Sequence, residues 1–521
     1  MDPLRNRISR SALAALLALI VCCSEAPDQP PPNVLLISID TLRADHLACY
    51  GYERETSPRL DRLAAEGVRV ERCVAPTSWT LPSHVSMLTG NPISVHGIDD
   101  DRRWEVQGPG GAPVSPTLHG KFLPEALASE GYRSAGFFTW KYLDPRYGFG
   151  PGFESWERLG HTFYSHPVVG AEYRELDAAG DVEGLKALLA QHPTLFDAAH
   201  NTSPEVVERT TQWLSAHAER GAGQPFFLFA HFFDVHDPYV TPEPYHSMFD
   251  PDYDGPIDGM RITSPDSPVH AGMDPRDLHN LVARYDGGIR YVDDQVGQVL
   301  DHLDSLGLAE NTLVIVTSDH GEEFFEHGKK THRQQLYPES IQVPLILRWP
   351  AGIPAGRVLR GTAGLVDIAP TVAHATGADF GHPLGGHSLL PLPPDDTLEE
   401  RSYLSELLLF DQGPVPLRQF ALSEGAQRAS IGRARGAAPW EIEPAPADRP
   451  AFEASFQERI DQLSQLRALL PNRTLGAGPR TAAELDELAA GGYSGDDEGT
   501  SVEASENGER LSVQGGIWPD R

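Results

Sequence analysis

Positive charge is what this 521-residue chain has least of. Its 42 lysines and arginines stand against 74 aspartates and glutamates, for a formal net charge of −32. That surplus argues against the nucleic-acid backbone and against an anionic membrane surface as partners. A small anionic substrate is not excluded, because a metal ion and a helix start can reverse the field inside one cleft. Part of the acidic excess lies in residues 491–521, a Gly/Ser-rich tail that reads as disordered. Cysteine is scarce too: beyond the N-terminal leader only Cys49 and Cys73 remain. An exported protein could pair them, and two buried thiols would fit equally well. A long apolar span is missing as well, since the N-terminal run Ala12–Val21 is too short to cross a bilayer comfortably. No internal repeat is visible.

What the N-terminus does have is an address. Arg5, Arg7 and Arg10 precede the short apolar run, the pattern of a secretory signal. Leu19-Ile20-Val21-Cys22-Cys23 resembles a bacterial lipoprotein cleavage box, although a small residue normally precedes the cysteine. Residues 1–23 are therefore expected to be a leader and residues 24–32 a Pro-rich tether. The expected location is exported: periplasmic or outer-envelope with a lipid anchor, or secreted.

Apolar runs ending in polar residues organise the rest. Asn33–Ile39 runs into Asp40, Pro225–Phe233 leads to His236, and Thr312–Thr317 ends in Ser318-Asp319-His320. Val68–Val74 and Ser134–Thr139 read as further strands, and Val343–Trp349 as another. Between them lie helical patterns, including one with Ile289, Val292, Val296, Val299, Leu300 and Leu303 on a single face. This alternation predicts an α/β sandwich with a large, mostly parallel sheet over residues 33–350. Residues 351–490 look like a smaller α+β subdomain, with Ile368–Thr376 and Phe452–Leu469 helical and Ser402–Leu408 strand-like. Tyr164–Ala199 reads as an insertion, and Pro242–Pro275 as a long surface loop near the site entrance.

In a parallel sheet the strand ends share one edge, so Asp40, Asp319 and His320 become neighbours. Ser78-Trp79-Thr80-Leu81-Pro82-Ser83-His84 puts a hydroxyl at a helix start, where free N–H groups attract an anion. Asp40, Thr80, Asp319 and His320 together make an oxygen-rich site for one divalent metal. Carboxylates suit Ca²⁺, Mg²⁺ or Mn²⁺, and the imidazole moves the balance toward Mn²⁺ or Zn²⁺. A coordinated threonine hydroxyl becomes a usable nucleophile. His236 and His332, with His327 behind them, are the candidate proton donors for a leaving alcohol. Lys141 and Arg333 are candidates to hold the anion's remaining oxygens.

These residues resemble those of the sulfatase-like hydrolases of the alkaline phosphatase superfamily. Residues 32–47 look like that family's opening motif, and Thr80–Gly90 resembles its signature, Cys or Ser before x-Pro-Ser-Arg with Thr-Gly following. Arg284-Tyr285-Asp286-Gly287-Gly288, Asp319-His320-Gly321-Glu322, Glu326-His327-Gly328 and Asp367-Ile368-Ala369-Pro370-Thr371 are similar to further family segments. The resemblance implies an alkaline-phosphatase-like sandwich with a smaller C-terminal α+β domain, and metal-assisted hydrolysis of a sulfate or phosphate ester. It implies Asp40, Asp319 and His320 as metal ligands, Thr80 at the nucleophile position and His236 near the leaving group. It puts His332 or Arg333 in the place of a late lysine, with Ca²⁺, Mn²⁺ or Zn²⁺ as the cation.

Departures sharpen the chemistry. Thr80 cannot be oxidised to formylglycine, because its β-carbon carries a methyl. His84 stands where the family has arginine, Thr41 where it has a second acid, and Thr139-Trp140-Lys141 where it has Lys-Trp-His. A threonine nucleophile resembles the phosphodiesterase and phosphoethanolamine-transferase branches instead. The expected partner is an anionic ester on a small molecule, glycan or lipid, and not nucleic acid. The alternatives are a transferase that passes a phospho-substituent to a cell-surface glycan or lipid, and a degenerate metal-binding relative without turnover.

Overall fold

A computed structural model describes residues 30–104, 115–160, most of 169–192, 201–409 apart from 222, 261 and 264–266, and then 417–424, 430–435, 441–443 and 449–475. The expected leader, most of the tether, much of the Tyr164–Ala199 insertion and the acidic tail lie outside the described residues. Among the described residues no helix is long and apolar enough to cross a membrane.

The main sheet has nine strands: β1 (Asn33–Ile39), β2 (Val68–Val74), β3 (Arg133–Phe138), β4 (Ser155–Arg158), β5 (Phe226–Phe232), β6 (Thr312–Thr317), β7 (Gln342–Val343), β8 (Leu345–Arg348) and β9 (Arg357–Gly364). Their order is β7-β2-β8-β6-β1-β5-β3-β4, with β9 also paired to β2. β6, β1, β5, β3 and β4 run parallel to one another, whereas β8 is antiparallel to both β6 and β2. The expected single strand Val343–Trp349 is split at Pro344, which has no N–H to give the ladder.

Alternation along the central strands explains the layering. Val34, Leu36, Phe227, Phe229, Leu313 and Ile315 face one core; Leu35, Ile37, Leu228, Val314 and Val316 face the other. Two faces buried by period-two side chains require helices on both sides. Helices α2 (Thr80–Thr89), α3 (Leu123–Ser129) and α6 (Ile368–Thr376) cover the first face. Helices α1 (Pro58–Glu66), α4 (Ser203–Glu219) and the 31-residue α5 (Pro275–Ser305) cover the second.

The main sheet extends past the boundary expected at residue 350. β9 pairs in parallel with β2, and α6 packs on the same core as α2. The reason is burial: Leu359, Ala363 and Val372 are fully enclosed there. The smaller unit starts later, with an antiparallel sheet of β10 (Ser402–Leu409), β11 (Leu417–Glu424), β12 (Ser430–Arg435) and β13 (Glu441–Glu443). Helix α7 (Arg449–Leu469) packs on it through Phe456, Ile460 and Leu463, against Leu404, Phe420 and Leu422. Cys49 and Cys73 are both free thiols.

Candidate active site

Adjacent strands β5, β1 and β6 deliver the polar residues. Ser38 sits in register with His231 on one side and Thr317 on the other, so Asp40 and Asp319 emerge side by side. The turn after β1 is held in an unusual shape. Thr41 has φ +56, a left-handed conformation that costs a β-branched residue of order 1–3 kcal/mol. Its carbonyl accepts the Tyr285 hydroxyl from α5 at 2.7 Å, and its N–H points at Asp319 Oδ1 at 3.3 Å. After His320, Gly321 packs so tightly that a Cβ would meet the Glu339 carbonyl at 1.9 Å.

Asp319 Oδ1 takes N–H groups from Thr41 and His320, and its Oδ2 takes none. Neither Asp40 oxygen has a hydrogen-bond partner, nor does His320 Nε2. His320 Nε2 lies 3.5 Å from Asp40 Oδ1 and 3.4 Å from Asp319 Oδ2. His320 Nδ1 donates to the Gly321 carbonyl at 2.9 Å, which leaves the Nε2 lone pair facing the two carboxylates. All three residues are 0 % exposed. Burial pushes the Asp40 carboxyl up to about 7 and that of Asp319 to about 6, and pulls His320 down to about 3. Two carboxylates and an imidazole, buried, convergent and short of partners, have the chemistry to hold a divalent cation.

Thr80 opens α2, whose first turn has no side-chain cap, and Gly90 closes it at φ +67. The turn is fastened to Asp319: Ser83 Oγ donates to the Asp319 carbonyl at 2.6 Å. Thr80 is fully buried there. His84 has both ring nitrogens engaged. Nδ1 donates to the Thr80 carbonyl at 2.9 Å and lies 3.6 Å from Asp319 Oδ2; Nε2 accepts from Ser38 Oγ at 2.9 Å. It ties the helix to β1.

A second wall carries His236 and His332, whose rings are 4.7 Å apart; His332 is also 4.6 Å from the His320 ring. His236 Nδ1 donates to the Asp237 carbonyl at 2.6 Å, and His332 Nδ1 to Glu322 Oε1 at 3.1 Å. Burial holds His236 well below the usual imidazole range and His332 near 3, while it raises the carboxyls of Asp237 and Glu322. Thr331 and Arg333 flank His332 at φ +63 and +60, so backbone strain marks this turn as well.

The structure brings Asp40, Asp319, His320, His236 and His332 together, with α2 and Thr80 fastened to Asp319. Arg333 differs from expectation. Its guanidinium lies 4.0 Å over the Trp79 ring, bonds Asp101 at 2.8 Å and stands 3.5 Å from Asp100. A buried guanidinium needs counter-charges, and these aspartates supply them, so it is not an open anion clamp. Lys141 is buried in the turn after β3, beside Trp140, which stacks on Phe233. His327 stacks on Tyr337 at 3.5 Å and pairs with Glu339.

The sequence assigns no role to His231 or Asp237, and names Glu322 and Tyr285 only within family-like segments. His231 had a signal: it is the one polar residue in the strand Phe226–Phe232. Tyr285 did not, because a tyrosine on an apolar helix face usually serves packing.

Residues 32–378 match the Sulfatase family. Mouse (Mus musculus) steryl-sulfatase is 28% identical, over 73% of this chain and 69% of its own length. The multifunctional alkaline phosphatase superfamily protein PehA of Trinickia caryophylli is 26% identical, over 69% and 76%. The crystal structure of a phosphonate monoester hydrolase from Agrobacterium radiobacter superposes with a TM-score of 0.61 at 21% identity, covering 85% of this chain and 97% of that one, and so shares the fold. With most of its α/β domain matched, this chain belongs to the sulfatase family and is a sulfatase-family ester hydrolase.

Proposed function

We propose that this hydrolase cleaves a phosphate diester or phosphonate ester, with Thr80 as nucleophile beside one divalent cation. The observation that carries this reading is the convergence of partnerless atoms of Asp40, Asp319 and His320 next to the helix that Thr80 begins. Asp40, Asp319 and His320, with the Thr80 hydroxyl, are the residues that would hold the ion. When bound, it would supply Lewis acidity, easing ionisation of the hydroxyl and offsetting the substrate's charge.

Thr80 Oγ then attacks phosphorus, the bond from phosphorus to the leaving alcohol breaks, and a phospho-threonine ester forms. His236 and His332 are the proton donors to the leaving oxygen in this reading. Burial keeps both imidazoles neutral in the empty site, and an anion beside them restores the charged form. Water attacking phosphorus frees Thr80. Threonine favours this route because it cannot form the aldehyde hydrate by which sulfatases attack sulfur. Sulfate-ester cleavage is the second reading, favoured by the family match and by steryl-sulfatase among the relatives.

The test is turnover of aryl phosphonate, phosphodiester, phosphate and sulfate esters, with Mn²⁺, Ca²⁺ or Zn²⁺, beside Thr80→Ala. Expected are turnover of the phosphonate or diester, a drop of roughly 10³-fold or more in the variant, and a trapped Thr80 adduct whose mass follows the phosphonate's substituent. Turnover of sulfate esters alone, or an active Thr80→Ala, would overturn the assignment. The N-terminal pattern supports export, and cell fractionation of the full chain checks it.

A further inference from the structure

His231 is buried in the centre of the sheet and has no part in the proposed reaction. It is 0 % exposed, its Nδ1 lies 3.1 Å from Thr139 Oγ1 and its Nε2 lies 3.3 Å from Asp40 Oδ2. Its ring also meets His84 edge-on at 5.2 Å. Asp40 therefore has an imidazole at each oxygen: His320 at Oδ1 and His231 at Oδ2. His320 gives its Nδ1–H to a carbonyl and turns a bare Nε2 toward the carboxylates. His231 Nε2 also stands near a carboxylate oxygen with no aligned hydrogen-bond partner in the empty site, but its other nitrogen, Nδ1, faces a hydroxyl that can donate as well as accept, so nothing forces Nε2 to be bare. Thr139 Oγ1 also lies 3.4 Å from the His231 carbonyl, so its hydrogen has two acceptors within reach, of which Nδ1 is the nearer. His231 also forms, with His84 and Asp319, a second buried group at the edge of the Asp40, Asp319 and His320 set.

We propose that His231 is a positioning residue: its Nε2–H holds Asp40 Oδ2, with Thr139 fixing the tautomer, so that Oδ1 is presented to the cation. This rests on the reading that Asp40 is a cation ligand. Such supporting partners orient ligands and commonly govern metal affinity. Thr139 comes from the end of β3 and His231 from β5, so the relay also ties the ligand to two neighbouring strands.

The full-length protein, stripped with chelator, is titrated with Mn²⁺ by calorimetry beside His231→Leu, His231→Gln and Thr139→Val, with circular dichroism as the check on folding. His231→Leu should bind Mn²⁺ about 10–100-fold more weakly. His231→Gln, whose amide nitrogen reaches the same point, should stay within about threefold of wild type, and Thr139→Val should fall between the two. A folded His231→Leu that binds like wild type, a His231→Gln as weak as the leucine variant, or an unaffected Thr139→Val would overturn the proposal while leaving the cation reading intact. If the leucine variant does not fold, the glutamine and valine variants decide by the same criteria. A wild-type protein that binds no Mn²⁺ would overturn the proposal and the cation reading together.

Discussion

Two buried carboxylates, Asp40 and Asp367, are equally enclosed and oppositely treated. Asp367, where β9 leads into α6, receives the Gly364 N–H at 2.9 Å, the His387 N–H at 2.7 Å and the Tyr403 hydroxyl at 2.6 Å. Asp40, at the end of β1, receives no aligned hydrogen bond on either oxygen, only the facing imidazoles of His320 at 3.5 Å and His231 at 3.3 Å. Asp234, which accepts from Thr202 and Ser203, and Asp293, which accepts from Arg59 and Leu60, follow the Asp367 pattern. An aspartate supplied with donors locks a fold junction. One left without them, beside a second carboxylate and a bare imidazole nitrogen, is set aside for something that is not protein. Burial alone does not distinguish the two; the direction of the neighbouring N–H and O–H groups does.

The sharpest way to break this comparison is to neutralise each type in turn. Asp319→Asn should weaken Mn²⁺ binding by more than about 100-fold, beyond what loss of a mere supporting partner costs. Calorimetry measures it, and an unchanged affinity would return Asp319 to the structural class.

A pH series tests the same contrast more gently. In the empty site Asp40 and Asp319 titrate near 7 and 6, above their ordinary value of 3.8. Groups whose folded pKa is raised contribute stability that is fully present below the unfolded value and lost as pH rises through the folded one. The chelated protein should therefore lose thermal stability between about pH 4 and 7 through these two groups. The gain in Tm on adding Mn²⁺ should grow over the same range, because protons compete with the ion at the acidic end. Scanning calorimetry with and without chelator checks both slopes, and a cation effect that shrinks as pH rises would contradict the assignment.

The smallest expected effect is at the satisfied carboxylate. Asp367→Asn should cost about 1–3 kcal/mol of stability by stranding one of its donors, with Mn²⁺ affinity unchanged. Denaturant unfolding beside calorimetry separates the two.

Much of this was legible without coordinates. Unbroken apolar runs before Asp40 and Asp319 announced buried parallel strands, because only a sheet covered on both faces tolerates them. Residues adjacent to such strands, and Thr80 at a Pro-containing helix start, were therefore readable as site residues. His231 stood out only as the one polar residue of its strand, and that carries no mark of what its ring will face. The pairing of Arg333 was not legible because its partners, Asp100 and Asp101, lie more than 200 residues earlier in the chain. The extension of the sheet by β9 was hidden for the same reason: its partner β2 precedes it by nearly 300 residues.

The sequence by itself therefore determined the strand ends, the family and the identity of a threonine that cannot become an aldehyde. These depend on local periodicity and on covalent chemistry. The tertiary structure decided which buried carboxylates are satisfied, which imidazole nitrogens are bare and which arginine is already paired. Those properties belong to directions between groups distant in the chain, and only the packed sheet sets them.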